Sequence, residues 1–403
     1  MARGIRPTST SRLLAVGVSR DGDRVTTLEL FFDLVYVFAF HQVSEIILDE
    51  PSAAGLLRGL VTLALVWWSW TAYAWLANQA RADDGVVRLG MVLATAVMFL
   101  VALAIPEAWD DLPGGLSGPL VFVIGYLLVR VVHGTVYLIA AGSDAGLRRQ
   151  VLVSMATGLV PAAALLVAGC LVGGALQVWL WAVAIAIDWL LVYLTSRAGN
   201  SWRLNSASHF SERHGLIVIL ALGESIIAIG AVAMRIPVDW EVLGAALAAV
   251  ALALGLWWSY FHHLADKVEH ELAVRAGSER AALAVDVYTY LHYPIVAAIV
   301  LVAVGIDEAM LGIGEERPLE GFAAGCLGAG LAIYLAATVL IWRRASGEWT
   351  LPRSIGALAA VALIPAFAAL PSIASLAIAA VFLAALLAIE QALHGRAAVR
   401  PGP

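Results

Sequence analysis

Twelve long apolar stretches run through this sequence, and each is long enough to cross a membrane as a helix. About 17 to 25 predominantly apolar residues are needed to span the hydrocarbon core of a bilayer. The pattern therefore predicts an all-α polytopic membrane protein with about twelve transmembrane helices. The stretches are centred near residues 38, 66, 96, 129, 161, 186, 222, 250, 294, 331, 362 and 382.

The composition supports this class of protein. Of the 403 residues, 62% are hydrophobic and 13% are charged, whereas soluble proteins carry about 25% charged residues. The connections between the apolar stretches are too short to hold a separate soluble domain. Cys170 and Cys326 both fall inside predicted spans, so they do not form the dense pattern of a secreted disulfide framework.

Basic residues near the span ends predict the orientation, because Lys and Arg stay on the cytoplasmic side of a membrane. The segment 1–24 carries five arginines and no apolar region of its own, so it is expected to be a basic arm and not a signal peptide. With twelve spans, the termini and the even-numbered loops hold every Lys and Arg except Arg58, Arg130, Arg235 and Arg317. Both termini are therefore predicted to be cytoplasmic.

Weak internal similarity at a spacing of about 200 residues predicts two halves of six helices each. Six spans per half preserve orientation, so the repeats are expected to be parallel, as in some transporters. Chance similarity within an apolar chain is the alternative. The matches pair Trp67-Trp68-Ser69-Trp70 with Trp257-Trp258-Ser259-Tyr260, Ile105-Pro106-Glu107-Ala108 with Ile306-Asp307-Glu308-Ala309, Pro161 with Pro365, and Asp188 with Glu390.

The predicted domain organisation follows from the spans and the repeat. It comprises a basic flexible cytoplasmic arm (1–24), a first six-helix repeat (25–199), a cytoplasmic connector (200–211), a second six-helix repeat (212–394) and a cytoplasmic tail (395–403).

Ionisable groups inside the predicted spans mark candidate functional sites, since each costs about 3 kcal/mol if it faces lipid. On span 1, Glu29 and Asp33 lie on one helical face, with His41 beside it. On span 7, Glu224 and Ser225 are about ten residues from the predicted cytoplasmic end, which places them about 15 Å deep, near the bilayer midplane. These acids are predicted to point into the helix bundle.

Span 4 carries Arg130 and His133 on one face, and Arg130 is expected to be the only basic residue well inside a span. A buried arginine requires an anion, so Arg130 is predicted to pair with a deep carboxylate. Asp286 and Tyr290 share a face of span 9. The candidate substrate or proton site therefore comprises Glu29, Asp33, His41, Arg130, His133, Glu224, Ser225, Asp286 and Tyr290.

Acids outnumber this single arginine, so at least one acid is expected to bind a proton in place of an arginine partner. Glu224 is the preferred coupling acid and Asp33 follows it, whereas Asp188 and Glu390 are placed nearer the span ends and receive less weight. The alternative is that these groups only tie helices together.

Four tryptophans, a histidine-containing helix end and the absence of enzyme motifs also bear on the function. Trp67, Trp68, Trp70 and Trp75 are interpreted as packing or interfacial residues in preference to a ligand-stacking site. His262, Asp266 and His270 could bind a metal, but a solvated helix end explains them as well, and no metal or cofactor is predicted. The sequence lacks GxxxxGK[ST], GxSxG, HExxH and CxxC motifs. We therefore do not expect an enzyme. Nucleic-acid binding is not expected either, because the basic residues are spread along one membrane face and are not grouped with aromatic residues on a soluble domain.

Four segments carry a resemblance to a known family. They are ELFFDLVYVFAF from Glu29, WWSWTAYAW from Trp67, the Asp83-Asp84 pair, and ERHGLIVILALGESIIAIG from Glu212. Together they resemble the bacterial low-temperature-requirement A family over at least residues 26–235. The resemblance implies an integral protein of the bacterial plasma membrane, and its family name records growth in the cold without naming a reaction. The characteristic residues it implies are Glu29, Phe32, Asp33, Trp68, Asp84, Glu212, Gly223, Glu224 and Ser225.

The leading functional hypothesis is a secondary transporter or proton-coupled permease, with Asp33 and Glu224 as coupling groups. Its expected partners are membrane lipids and a small-molecule or ion substrate, which the sequence does not identify. A structural or regulatory membrane protein for envelope adaptation to cold is the alternative. A membrane enzyme acting on a lipid is a third, although the sequence offers no nucleophile constellation for it.

Overall fold

The computed structural model describes residues 22–198, 202–234, 237–313 and 317–399. These ranges contain helices and no β-strand. Twelve helical segments are long and apolar enough to cross a membrane, which confirms the predicted fold class and number of spans. We number them α1 to α12: Thr27–Asp49, Ala53–Gln79, Gly85–Leu103, Gly118–Ala140, Ala145–Val172, Gly174–Arg197, Ala207–Ala233, Trp240–Val274, Gly277–Leu311, Gly321–Ser346, Leu351–Ala369 and Ser372–Leu393.

The described residues divide into two compact units. The first unit takes its residues from 1–43, 57–213 and 275–285, and the second from 44–56, 214–274 and 286–403. Within the first unit, α3 packs against α4 and α5 packs against α6. Within the second, α10 packs against both α9 and α11, and α8 packs against α12. The parallel six-helix repeat remains a prediction.

Close packing of α9 and α10 depends on glycine. A Cβ atom at Gly305 would lie 2.8 Å from Leu327 Cβ, and one at Gly330 would lie 2.9 Å from Ala298 O. Small residues at such crossings let two helices approach until their backbones touch, which is the usual basis of helix association in membranes. These two helices are also more deeply buried than α7, α8, α11 and α12.

Two helices contain short π-helical segments, at Met155–Leu159 in α5 and Val285–Leu291 in α9. Each lies just before a proline, Pro161 or Pro294. Proline has no backbone N–H, and its ring clashes with the carbonyl four residues earlier, so a wider turn relieves the conflict. In α9 this places the irregular turn just before Pro294.

The α7 helix begins at Ala207, inside the segment predicted to be a connector. Glu224 therefore lies 17 residues after the first residue of its helix, or about 26 Å along the axis. The predicted value of ten residues assumed that the span starts near Arg213. Consequently Arg213, which was assigned to the cytoplasmic end of the span, lies within the helix.

Candidate functional site

Two acids on α1 share one arginine from α7. Glu29 Oε1 lies 2.9 Å from Arg213 Nη1, and Asp33 Oδ1 lies 2.8 Å from Arg213 Nη2. The acids are four residues apart, so they face the same side of α1. All three side chains have no solvent exposure. One guanidinium group therefore bridges two buried carboxylates, through an ion pair with Glu29 and a charge-assisted hydrogen bond to Asp33.

The first turn of α1 holds the Glu29 carboxylate in place. The backbone N–H and hydroxyl group of Thr26 donate to Glu29 Oε2 at 2.7 and 2.8 Å, and the Glu29 N–H donates to Thr26 Oγ1 at 3.3 Å. This reciprocal arrangement is a capping box, and a negative charge there interacts favourably with the helix dipole. Glu29 thus presents its second oxygen, Oε1, in a fixed position.

His209 contacts the same carboxylate oxygen. Its Nε2 atom lies 3.0 Å from Glu29 Oε1, and its side chain is 4% exposed. His209 and Arg213 are four residues apart on α7, so both reach α1 from one helical face. With a neutral imidazole, Glu29, Asp33 and Arg213 leave a net charge of about −1 at neutral pH, because two carboxylates face one guanidinium. One added proton neutralises these four groups.

Trp70 on α2 completes this group of side chains, which we call the Arg213 cluster (Glu29, Asp33, Trp70, His209 and Arg213). The Trp70 indole N–H donates to Asp33 Oδ1 at 2.8 Å. The guanidinium carbon of Arg213 lies 5.6 Å from the centre of the Trp70 ring, which is within cation–π range. Asp33 Oδ2 is buried without a hydrogen-bond partner among the described residues.

A second cluster of the same kind lies around Arg130, and we call it the Arg130 cluster (Trp68, Arg130 and Asp188). Arg130 Nη2 lies 3.2 Å from Asp188 Oδ2, and the Trp68 indole N–H donates to the same oxygen at 2.7 Å. The guanidinium carbon lies 5.8 Å from the Trp68 ring centre. The prediction that Arg130 pairs with a deep carboxylate is confirmed. The Arg130 cluster holds one guanidinium group and one carboxylate, so its charges balance. The Arg213 cluster holds one guanidinium group and two carboxylates.

The tryptophans of α2 therefore have a role that the sequence analysis missed. Trp68 and Trp70 are two residues apart, which turns their side chains about 200° from each other around the helix. Each donates a hydrogen bond to the acid of a different cluster. Both residues are buried in the core, as a packing role requires, and the hydrogen bonds to buried acids are an addition that the sequence analysis did not predict. Asp188, which received less weight, is an almost fully buried member of a cluster.

Arg130 is also not the only buried arginine, contrary to expectation. Besides Arg213, Arg353 in the second unit is buried and its Nε lies 2.7 Å from Glu390 Oε1. Arg353 Nη2 also donates to Ser259 O at 3.0 Å, much as Arg130 Nη1 donates to the Trp68 carbonyl at 3.4 Å. Among the described residues, buried acids still outnumber buried arginines, but by five to three and not by five to one.

The remaining predicted residues lie in other environments. His133 packs between the rings of Tyr73 and Tyr137, with ring-centre distances of 5.4 and 5.5 Å. His41 is half-buried on α1. In the second unit, Glu224 and Ser225 are buried on α7. A Cβ atom added at the neighbouring Gly223 would meet no described atom within 4 Å.

Asp286 and Tyr290 line one cavity in the second unit. Its volume is about 610 Å³, and Leu291, Leu340, Arg343 and Arg344 complete its wall. Asp286 Oδ2 lies 2.6 Å from Arg344 Nε. The predicted site residues thus belong to several groups: Glu29 and Asp33 to the Arg213 cluster, Arg130 to its own cluster, and Asp286 and Tyr290 to this cavity.

A small cavity connects the Arg213 cluster with the protein surface. Its volume is about 60 Å³, which is enough for a few water molecules. It leads from the exposed residues Arg24 and Arg81 to the buried side chains of Glu29 and His209. Both buried side chains therefore border a cavity large enough for water. The complete lining is Asp23, Arg24, Thr26, Glu29, Ala77, Arg81, Ala82 and His209.

The described residues contain no group of three or more His, Cys, Asp and Glu side chains that could hold a metal ion. His262, Asp266 and His270 therefore do not form such a group in this structure.

Gly158 allows α5 to pass close to the Arg130 cluster. A methyl group at this position would overlap Asp188 Oδ1. We expect Gly158→Ala to displace Asp188 and to lower the free energy of unfolding by about 1 to 3 kcal/mol, the usual cost of overpacking. Thermal unfolding of the detergent-solubilised protein measures this. Gly244→Ala is the matched control because its Cβ would meet no described atom within 4 Å. Equal melting temperatures for both variants would contradict the expectation.

Fold and site together define a multi-pass helical membrane protein whose buried charges are held in arginine–acid–tryptophan clusters. The chain belongs to the bacterial low temperature requirement A protein family, LtrA, whose model matches residues 24–388. This confirms the resemblance seen in the motifs and places the protein in a bacterial membrane. Of the residues that the resemblance implies, Glu29, Asp33 and Trp68 are members of the two clusters.

A relative from Rhizobium meliloti (strain 1021) is 29% identical over 352 residues, covering 83% of this chain and 80% of its own length. That relative is described as an uncharacterized protein. No solved structure matches this chain significantly.

Proposed function

We propose that this protein is a proton-coupled secondary transporter of the bacterial plasma membrane and that the Arg213 cluster is its proton site. The observation that supports this most is the unbalanced charge of Glu29, Asp33 and Arg213 beside a histidine that lines a cavity large enough for water. Unbalanced ionisable groups inside a membrane protein are costly and commonly mark proton pathways.

In this proposal, a proton enters through the small cavity and is held between His209 Nε2 and Glu29 Oε1. The protonated cluster is neutral, so it is stable with its side chains closely packed. Loss of the proton leaves one uncompensated negative charge, which weakens that packing and favours a second arrangement of α1 and α7. Substrate binding would then be coupled to the conformational change through the different charge of the two states.

The proposal includes the orientation of the protein in the membrane. With both termini cytoplasmic, the cavity beside Arg24 and Arg81 opens to the cytoplasm. The basic residues at its mouth fit that side of the membrane. Glu224, the acid preferred from the sequence, remains a second candidate coupling group.

A test can be made before the substrate is identified. Sealed proteoliposomes containing a pH-sensitive dye would be loaded with a low-molecular-weight extract of bacterial cytoplasm and diluted into buffer. We expect the outward gradient of extract to drive a change of internal pH that vesicles without protein lack. Fractionating the extract then isolates the substrate. The same slow pH drift with and without protein would contradict proton-coupled transport and favour a structural or regulatory role.

A further inference from the structure

The 610 Å³ cavity between α9 and α10 combines a basic end with an apolar wall. Arg343 and Arg344 form the basic end, together with the carboxylate of Asp286, while Leu291 and Leu340 provide apolar surface. The two arginines outnumber the acid, so the lining carries a net charge of about +1 at neutral pH. A ligand that satisfies both parts must be an amphiphile with an anionic head.

Arg343 and Arg344 make different contacts with their neighbours. Arg344 Nε is paired with Asp286 Oδ2 at 2.6 Å. Arg343 makes no ion pair with any described residue, and its guanidinium carbon lies 5.5 Å from the ring centre of Trp349. This contact orients the guanidinium group without neutralising it. Arg343 can therefore bind an anion without first breaking an ion pair.

The position along the helix also fits a lipid headgroup. Arg343 and Arg344 lie in the last turn of α10, which ends at Ser346. Beyond it, Trp349 and Leu351 are 64% and 68% exposed. Exposed tryptophan next to arginine at the end of a span is typical of the membrane–water interface. The α10 terminus is cytoplasmic in the proposed orientation, and anionic lipids are attracted to basic pockets on that side.

We propose that this cavity binds an anionic phospholipid, with the phosphate against Arg343 and Arg344 and an acyl chain along Leu291 and Leu340. The π-helical segment Val285–Leu291 shapes one wall, because both Asp286 and Tyr290 belong to it and line the cavity. The bound lipid would hold the cytoplasmic end of α10 at the anionic surface of the membrane leaflet. This inference rests on the proposed orientation but does not require proton-coupled transport.

Native mass spectrometry of the purified full-length protein with phosphatidylglycerol, phosphatidylcholine or glycerol 3-phosphate tests the proposal. We expect phosphatidylglycerol to bind most tightly and Arg343→Gln to weaken it about fivefold, the effect of one basic residue near an anionic surface. Arg343→Lys should retain most of the affinity. Arg149→Gln removes another exposed arginine, on α5, and should leave binding unchanged.

Two results would overturn the proposal. One is equal binding of phosphatidylglycerol to the wild type and to Arg343→Gln, since the lipid would then be held elsewhere. The other is binding of glycerol 3-phosphate as tight as that of the lipid, because the occupant would then be a soluble phosphate. Melting temperatures measured in parallel should be equal for wild type and Arg343→Gln without lipid, which separates lost binding from lost folding.

Discussion

Arg213→Met is expected to destabilise the protein more than any other single substitution considered. The change leaves the carboxylates of Glu29 and Asp33 buried without the cation that now lies 2.9 and 2.8 Å away. Removing one partner of a buried ion pair typically costs about 3 to 5 kcal/mol, because the remaining charge stays desolvated. We expect a large fall in the melting temperature and in the yield of monodisperse protein in detergent.

Arg203→Met is the matched control for this prediction. Arg203 Nη2 lies 3.3 Å from Asp144 Oδ2, but its side chain is 66% exposed. An exposed pair contributes under about 1 kcal/mol, so this variant should melt close to the wild type. Adding Glu29→Gln and Asp33→Asn to Arg213→Met should recover part of the lost stability, because the cluster is then neutral. A melting temperature of Arg213→Met equal to that of Arg203→Met would contradict the role of Arg213.

The second large effect concerns function. Glu29→Gln keeps the shape of the side chain but removes its charge change, since an amide does not gain or lose a proton in this range. We expect a variant that expresses and melts like the wild type yet fails to restore growth of a deletion strain in the cold. The expected loss is nearly complete, because no proton would be held between residue 29 and His209.

Asp110→Asn serves as the control in the same growth assay. Asp110 pairs with Arg58 at 2.8 Å but is 81% exposed, so its loss removes an acid from the surface alone. Glu224→Gln belongs in the same series. Loss of growth for Glu224→Gln with full growth for Glu29→Gln would move the coupling role from the Arg213 cluster to Glu224.

Much of the fold could be predicted from the sequence because apolar length alone identifies a spanning helix. The twelve spans follow from this local pattern. The starting point of α7 does not, since its first residues, Ala207 to Ser211, are mostly polar or small. Their burial depends on neighbouring helices, which hydropathy does not describe.

The partners of the buried acids could be predicted only in part. Arg130 lies well inside an apolar stretch, so its need for an acid was evident. Arg213 lies near a span end, where basic residues usually mark the cytoplasmic side, and this rule concealed its burial. One signal was present: Glu29 and Asp33 are four residues apart, as are His209 and Arg213, so two complementary helical faces were available for pairing.

The hydrogen bonds of Trp68 and Trp70 could not be predicted in the same way. A buried indole N–H needs an acceptor, but many carbonyl groups and acids in a helix bundle can provide it. Only the packing of α2 against its neighbours selects Asp188 for one and Asp33 for the other.

The most direct test of the proton site compares wild type and Glu29→Gln in the dye-loaded proteoliposomes. An outward gradient of the cytoplasmic extract, or of the substrate once purified from it, would be imposed at equal internal and external pH. The account predicts a change of internal pH with the wild type and none with Glu29→Gln, while both variants still exchange labelled substrate. A pH change of the same size with Glu29→Gln would contradict it.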